Sequence, residues 1–213
     1  AIADTYKLDH ETSLTKRRAI LNSVISQIEN LRSKFGQSGF YNQSLGWLYF
    51  QRHRVQQGIE EEGGFVKGFD IMTKKFRKWF GAKNPKWLEQ ALDASLTAYF
   101  IASPGSINRA AATQNLAFIT FELGNFEKCL QFSLERLELK STLDFDSDEV
   151  AGYFYRVAGI SAFRVNKSDT AAALFNESVN YFSRTNLVLQ TLYSMDFLSL
   201  SLSELKNQEL ALS

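Results

Sequence analysis

Few residues in this chain belong to the types that perform acid–base, nucleophilic or metal chemistry. The sequence contains two histidines, His10 and His53, and one cysteine, Cys129. His53 lies between Arg52 and Arg54, whose charges oppose protonation of the imidazole, and neither histidine belongs to a recognisable ligand pair. We interpret Cys129 as a buried packing residue, because free cysteine is among the most buried residue types. The sequence therefore predicts no catalytic residue, no metal site, no cofactor and no enzymatic activity.

A basic stretch over residues 67–86 is the strongest local charge feature of the sequence. It contains seven basic residues and one acid, Asp70. On a helix, such a stretch forms a basic amphipathic face of the type that binds nucleic acid, an anionic membrane or an acidic partner. The candidate side chains for that binding are Lys74, Lys75, Arg77 and Lys78. We favour a simpler interpretation, a solvated face beside the acidic residues 60–62, and do not expect nucleic acid or a membrane as the partner.

The overall composition indicates a globular chain without a strong electrostatic preference. The 213 residues are 45% hydrophobic, which is enough for a substantial core, and the formal net charge is only +1. No apolar run reaches the length of a membrane span, and the sequence does not open with a signal peptide. We therefore expect a soluble protein, with the cytoplasm slightly favoured over a periplasmic or other compartment reached through a removed signal.

Apolar residues recur with the helical period, and only two prolines, Pro85 and Pro104, interrupt the chain. This pattern predicts an all-helical protein. Short connections predict antiparallel neighbours. Asp146 and Glu149 are predicted to form a capping box, and Ser168 is predicted to be the N-cap of the next helix. The expected helices span residues 13–35, 40–57, 63–80, 85–102, 107–123, 125–140, 146–165, 168–184 and 187–205, with bounds good to ~2 to 4 residues.

Two stretches of the sequence repeat the same order of residues. In "LGNFEKCLQFSLERL" and in "VNKSDTAAALFNESV", a polar turn precedes a small residue, Cys129 in the first and Ala171 in the second. Ala91 and Ala211 occupy the same place in two further copies, and the successive intervals are 38, 42 and 40 residues. A period of this size is typical of stacked helix pairs.

The repeated unit resembles the tetratricopeptide repeat (TPR), whose two helices cross at a small residue and are joined by a turn of glycine, asparagine or aspartate, and an aromatic residue. Gly124, Asn125 and Phe126 match that turn. The second copy fits through Tyr155, Ala158, Gly159, Ala171, Phe175 and Ser178. The family period of ~34 residues is shorter than the period here, which implies longer helices or loops. HEAT and armadillo repeats have a longer period but do not explain the turn, so they are a minor alternative.

The resemblance implies an all-α fold in which antiparallel helix pairs stack as a TPR-like right-handed superhelix, an alpha-alpha superhelix. We assign residues 1–12 to a polar N-terminal segment and residues 13–213 to a single repeat domain. The match is weak over 13–84 and clearer over 85–213. The last copy stops in the first turns of its second helix, so we expect a fragment of a longer protein or a tail that docks on another chain.

In this family, the first helices of successive pairs line a concave surface where a partner segment binds. Alignment to the turns places on that surface Gln114, Phe118, Phe121, Glu122, Tyr153, Arg156, Ile160, Phe163, Arg164, Tyr193, Asp196 and Leu200. The resemblance therefore implies an aromatic groove suited to an amphipathic helix or an apolar peptide, in which Arg156 and Arg164 can pair with an acidic residue. The alternative is that these aromatic side chains pack between the repeats as core.

These observations favour a non-enzymatic scaffold that binds a peptide or helix of a partner protein in the groove. One alternative is the sensor or regulatory region of a larger bacterial signalling protein, such as a transcription regulator or nucleotide cyclase. In that case the groove would bind a small ligand or the protein's own effector domain. A second alternative is a nucleic-acid or membrane adaptor that uses the basic stretch. The sequence leaves the partner and the oligomeric state open.

Overall fold

The computed structural model describes residues 13–56, 86–139 and 147–212 of the chain. Within these ranges the backbone forms eight α-helices and no strand, so the predicted all-α fold is confirmed. In chain order the helices are α1 (Leu14–Phe35), α2 (Gly39–Gln56), α3 (Lys86–Ile101), α4 (Ile107–Glu122), α5 (Phe126–Glu138), α6 (Asp148–Arg164), α7 (Ser168–Ser183) and α8 (Val188–Leu212). The helix predicted over 63–80 lies outside the described residues.

Most helix bounds lie within two residues of their predicted positions, because the helical period and the turn residues mark the same ends. The exception is α8, which continues to Leu212 rather than ending near residue 205. The N-cap of α6 is Ser147, whose Oγ accepts a hydrogen bond from the Val150 N–H at 3.2 Å. The structure begins α7 at Ser168, so the N-cap position falls on Lys167 rather than on the predicted Ser168, whose side chain is buried.

Contacts divide the chain into two units, Ala1–Ile119 and Thr120–Ser213, and the single repeat domain over residues 13–213 stays a prediction. In the first unit, α2 packs against both α1 and α3. The approach of α2 to α3 depends on Gly46, since a Cβ atom at this position would lie 2.1 Å from the Ser95 Oγ. A larger residue there would force the two helices apart.

The first unit also places polar side chains between α1 and α2. The Arg52 Nε donates a hydrogen bond to the Asn22 Oδ1 at 2.8 Å. The Tyr49 hydroxyl donates to the Glu29 carboxylate, and burial together with this carboxylate raises the pKa of Tyr49. These contacts satisfy polar groups that would otherwise be costly to bury.

In the second unit, α6 packs against α5 and α7, and α8 packs mainly against α7. Gly152 and Gly159 lie two helical turns apart on the α6 face that meets α7. A Cβ atom at either position would lie 2.8 Å from an aromatic carbon, on Phe182 for Gly152 and on Phe175 for Gly159. The missing side chains therefore let both rings lie directly against the α6 backbone.

Ser178 links three helices at the centre of the second unit. Its hydroxyl donates a hydrogen bond to the Gly152 carbonyl of α6 at 2.9 Å and lies 2.8 Å from the Ser194 Oγ of α8. Close by in the sequence, the ring of Phe175 stacks on that of Phe197 with centroids 5.2 Å apart. Helix α7 is therefore held to α6 and to α8 by both polar and aromatic contacts.

The predicted turn at Gly124 and Asn125 is confirmed. Gly124 has φ +72°, a conformation that glycine adopts without strain, and the Asn125 Oδ1 caps α5 by accepting from the Lys128 N–H at 3.1 Å. The turns after α6 and α7 use asparagine instead, with φ +59° at Asn166 and +48° at Asn186. Asparagine is one of the few residues besides glycine that tolerates this region.

The small residues that define the repeat lie where close packing is needed. Ala91, Cys129 and Ala171 are each completely buried, as expected for residues at helix crossings. The side chain of Ala211, in the last copy, lies outside the described ones. The burial of Ala91, Cys129 and Ala171 agrees with helix pairing. The superhelical arrangement of the pairs stays a prediction.

Candidate functional site

The α6 residues of the predicted groove belong to the core. Tyr153, Arg156 and Ile160 are buried, and every residue from 151 to 162 is buried with them. The cause is that α6 has neighbours on more than one side, since it packs against α5 and α7 and touches α8. As core residues, these side chains offer no surface to a partner. Phe163 is only partly buried and Arg164 is exposed.

The α4 residues of the predicted groove are also largely packed. Phe118 is 3% exposed, and its ring stacks on Phe50 with centroids 6.5 Å apart. Phe121 is 4% exposed and meets Phe126 edge to face at 5.6 Å. Gln114 keeps partial exposure. For both phenylalanines, the structure therefore favours core packing over an open aromatic groove.

Arg156 is bound within the protein rather than available to a partner. Its side chain is 1% exposed, and its Nη1 donates a hydrogen bond to the Gln190 Oε1 of α8 at 2.6 Å. The guanidinium carbon also lies 5.1 Å from the ring centroid of Tyr153 and 5.3 Å from that of Phe182. These neighbours give the buried guanidinium one charge-assisted hydrogen bond and two cation–π contacts.

Arg164 differs from Arg156 because its side chain is exposed. Its guanidinium carbon lies 5.8 Å from the ring centroid of Phe126. Nearby, an open depression follows the turn before α5 and is lined by Leu123, Gly124, Asn125, Phe126, Glu127 and Val165. No buried polar side chain lines this depression, so it has the character of an ordinary surface turn.

The main exposed apolar surface of the second unit lies on α8. Tyr193 and Leu200, both predicted groove residues, are 40% and 55% exposed. Five further apolar side chains between Val188 and Leu202 are comparably exposed. Together we call these seven residues the outer face of α8: Val188, Leu189, Leu192, Tyr193, Met195, Leu200 and Leu202.

Asp196 lies in the middle of the outer face of α8. It is the one charged residue between Val188 and Ser203, and it is exposed. Residues three and four positions apart are neighbours on a helix surface, so Leu192 and Leu200 flank the Asp196 carboxylate along the axis. The face is therefore mainly apolar, with the exposed Ser199 beside a single negative charge near its centre.

The side of α8 that packs against the protein is unusually polar. Gln190, Ser194 and Ser201 are buried there, alongside the half-buried ring of Phe197. Ser194 contacts Ser178, and the Ser201 hydroxyl donates to the Phe197 carbonyl at 2.9 Å. A solvent-facing helix normally has the opposite distribution, with apolar residues inside and polar residues outside. Along its first four turns, α8 thus exposes most of its apolar side chains and buries several polar ones, while the half-buried Leu198 and the exposed Ser199 depart from this pattern.

The groove prediction includes two of the seven residues on the outer face of α8 and omits five. The omitted residues are Val188, Leu189, Leu192, Met195 and Leu202. The sequence does contain a signal for these five residues. Residues 187–203 include many apolar residues but only one charged residue, and a helix with a solvated side normally has more charged residues than that.

Among the described residues, the nucleophilic and basic candidates are Cys129 and His53, and both have shifted pKa values. Burial raises the pKa of the Cys129 thiol to about 11, so the thiolate is scarce at neutral pH. Burial, followed by the charge of Arg54, lowers the pKa of His53 to about 4, so its imidazole is neutral at pH 7. The predicted burial of Cys129 is confirmed.

Clustered charges and long apolar helices are the remaining features that could bind an ion, nucleic acid or a membrane. Lys74, Lys75, Arg77 and Lys78 lie outside the described residues. Among the side chains that are described, no three histidine, cysteine, aspartate or glutamate residues group as metal ligands. In the same part of the chain, none of the helices combines the length and apolar character needed to cross a bilayer.

Comparisons with known proteins give no family assignment. No protein-family model matches the sequence, and no curated protein matches it significantly. One solved structure that aligns with this chain is the crystal structure of BtubC (BKLC) from P. vanneervenii. The two are 16% identical with a TM-score of 0.40, over 95% of this chain and 93% of that chain. At this TM-score, the likeness assigns neither family nor function.

Proposed function

We propose that this protein is a non-enzymatic, tetratricopeptide-like helical-repeat module that binds another protein. The observation that carries the proposal is the set of exposed apolar residues on the outer face of α8, while Gln190, Ser194 and Ser201 of the same helix are buried. Contiguous apolar patches on soluble proteins mark interaction sites far more often than ordinary surface does. The docking surface in this proposal is the outer face of α8 rather than the aromatic groove.

The way the helices pack against one another also supports this proposal. In stacked helical repeats each pair buries its apolar faces against a neighbour, and an uncovered terminal face requires a polar surface or a cap. Helix α7 has a neighbour on both sides, α6 and α8. The seven apolar residues of the outer face of α8, each between 40% and 67% exposed, are not covered by any of the described helices.

The absence of enzymatic activity in this proposal rests on the reactive residue types themselves. The chain has one cysteine and two histidines. The pKa values of Cys129 and His53 are shifted in the directions that keep the thiol and the imidazole neutral. General bases and nucleophiles usually show the opposite tuning, towards pKa values near the working pH.

Photo-crosslinking followed by affinity measurement tests this function. The photoreactive amino acid benzoylphenylalanine is placed at position 192 on α8, and at position 134 on α5 as a control. Leu134 is also an exposed helical leucine, 37% exposed. We expect a partner protein that crosslinks to position 192 and not to position 134 in the cells that naturally make the protein.

The crosslinked protein is then purified and its affinity measured against three forms of the module. We expect Leu192→Gln with Leu200→Gln to weaken binding about tenfold or more, because two exposed leucines lose their apolar contact with the partner. The matched control Leu134→Gln should leave the affinity unchanged. Equal affinities for the double variant and the wild type would contradict the proposed docking surface.

A further inference from the structure

The outer face of α8 has a geometry that fits another α-helix. Its exposed residues run from Val188 to Leu202, which spans about 21 Å along the axis at 1.5 Å per residue. The α8 backbone satisfies its own hydrogen bonds, so the helix offers no free edge to which an extended peptide could add as a strand. A partner helix of about four turns would cover the whole face.

The single charge on this face specifies the chemistry of that helix. Asp196 is flanked along α8 by Leu192 and Leu200 and lies on the same side as Tyr193. A partner that covers these apolar side chains removes water from the carboxylate as well. Burying an unpaired carboxylate is costly, whereas a cation with a hydrogen bond to it offsets that cost.

A second copy of this chain fits poorly on the face. Most homodimers are two-fold symmetric, and residues near the two-fold axis meet their own copies. An α8 to α8 contact centred on this face would bring Asp196 of each copy towards the other, and like charges at an interface oppose association.

A lipid surface fits poorly for a related reason. Helices that lie on membranes carry lysines and arginines along the polar side and aromatic or aliphatic residues on the other. From residue 185 to residue 205, α8 and the turn before it contain no lysine or arginine. The one charge on the apolar side, Asp196, is an anion that lipid would have to desolvate.

We infer that the outer face of α8 binds an amphipathic helix of a different protein, and that the apolar stripe of this helix carries a lysine or arginine opposite Asp196. This inference depends on the proposed protein-binding function and adds the chemistry of the partner. Asp196 is the specificity-determining residue, and the surrounding leucines supply the contact area.

A selection experiment tests the charge rule with a library of helices in place of the partner. The probe is a phage-displayed library of 18-residue amphipathic helices with an apolar stripe. Two positions at the centre of this stripe are randomised to all amino acids. The full chain is used as wild type, as Asp196→Lys, and as Glu127→Lys, a matched reversal of an exposed carboxylate on α5. Circular dichroism confirms that the three forms fold alike.

We expect lysine or arginine at a central position of the helices selected on the wild type and on Glu127→Lys. Selection on Asp196→Lys should enrich aspartate or glutamate there instead. For one selected peptide, Asp196→Lys should weaken binding about 10- to 100-fold, and changing the peptide cation to glutamate should restore affinity for that variant. A central position with no charge preference on any form would overturn the inference.

Two outcomes separate this inference from the function on which it depends. If selected helices bind without a charge preference but lose affinity with Leu192→Gln and Leu200→Gln, the charge rule fails and the docking surface stands. If no selected helix responds to these leucine variants, both proposals fail.

Two parallel measurements address the other occupants. The first is the molar mass of the chain in solution by light scattering, and the second is sedimentation with phosphatidylcholine and phosphatidylglycerol vesicles. A dimer that Leu192→Gln dissociates would identify a second copy as the occupant and overturn the inference. Vesicle binding that Leu192→Gln abolishes would do the same in favour of lipid.

Discussion

Helices α6 and α8 both pack against α7. The aromatic and aliphatic residues of α6 are mostly buried, whereas those of α8 are mostly exposed. From residue 151 to residue 162, α6 is buried on every side, including Arg156. In α8, Gln190, Ser194 and Ser201 are buried, whereas Leu189, Leu192, Leu200 and Leu202 are exposed. The resemblance to the tetratricopeptide repeat implies that both helices contribute to one groove. The difference teaches that the number of packed neighbours, rather than residue type, decides which apolar stripe is core and which is surface.

The largest test of this comparison truncates one apolar side chain in each helix. Phe154 of α6 is fully buried and Leu192 of α8 is 50% exposed. We expect Phe154→Ala to lower the free energy of unfolding by about 3–5 kcal/mol through lost contacts and a residual cavity. Leu192→Ala should change it by less than about 0.5 kcal/mol. Urea denaturation of both variants measures the difference, and similar losses would show that α8 is packed as tightly as α6.

A second test concerns the polar link between the two helices. Gln190→Leu removes the acceptor of the Arg156 Nη1 hydrogen bond, which is 2.6 Å long. We expect a loss of about 1.5–3 kcal/mol, because hydrogen bonds to charged groups are worth that much. Adding Arg156→Met should recover part of the loss by removing the buried guanidinium as well. A double-mutant cycle from chemical denaturation measures the coupling, and additive losses would mean that the two side chains act independently.

A third test changes α7, the helix that α6 and α8 share. Ala171 is completely buried and lies on the same stripe as Phe175, which meets α6 at Gly159. We expect Ala171→Leu to overpack the crossing and lower stability by about 1–3 kcal/mol. The exposed neighbour Ala173 offers a control, since Ala173→Leu should be nearly neutral. An unchanged melting curve for Ala171→Leu would contradict the repeat register.

The smallest expected effect on stability comes from the charge on the outer face of α8. Asp196 is exposed, so Asp196→Leu should change the free energy of unfolding by less than about 0.5 kcal/mol. The same substitution makes the face wholly apolar and removes the repulsion between copies. We therefore expect sedimentation velocity to detect self-association of Asp196→Leu that increases with concentration. An unaltered sedimentation profile at every concentration would argue that the face is too small to associate.

The fold is more predictable from the sequence than the site, and the reasons are physical. Helical periodicity and turn residues such as Gly124 are local signals, so helix bounds follow from a few neighbouring residues. Burial of Phe118, Tyr153 and Arg156 depends on helices distant in the sequence, which periodicity does not encode. The outer face of α8 is only partly recognisable, because a stripe of leucines predicts an interface without stating whether the neighbour is part of the same unit.

The one-sided packing of α8 also has a consequence for how the second unit opens. Amide hydrogen exchange reports local opening, and segments with few buried contacts open at lower free energy than the rest of the core. Helix α8 packs mainly on α7 and buries small polar residues there. Its amides should therefore exchange sooner than those of α6, so the unit loses α8 first as temperature or denaturant rises. A protein that covers this helix would slow that exchange, and would in effect extend the cooperative core by one helix.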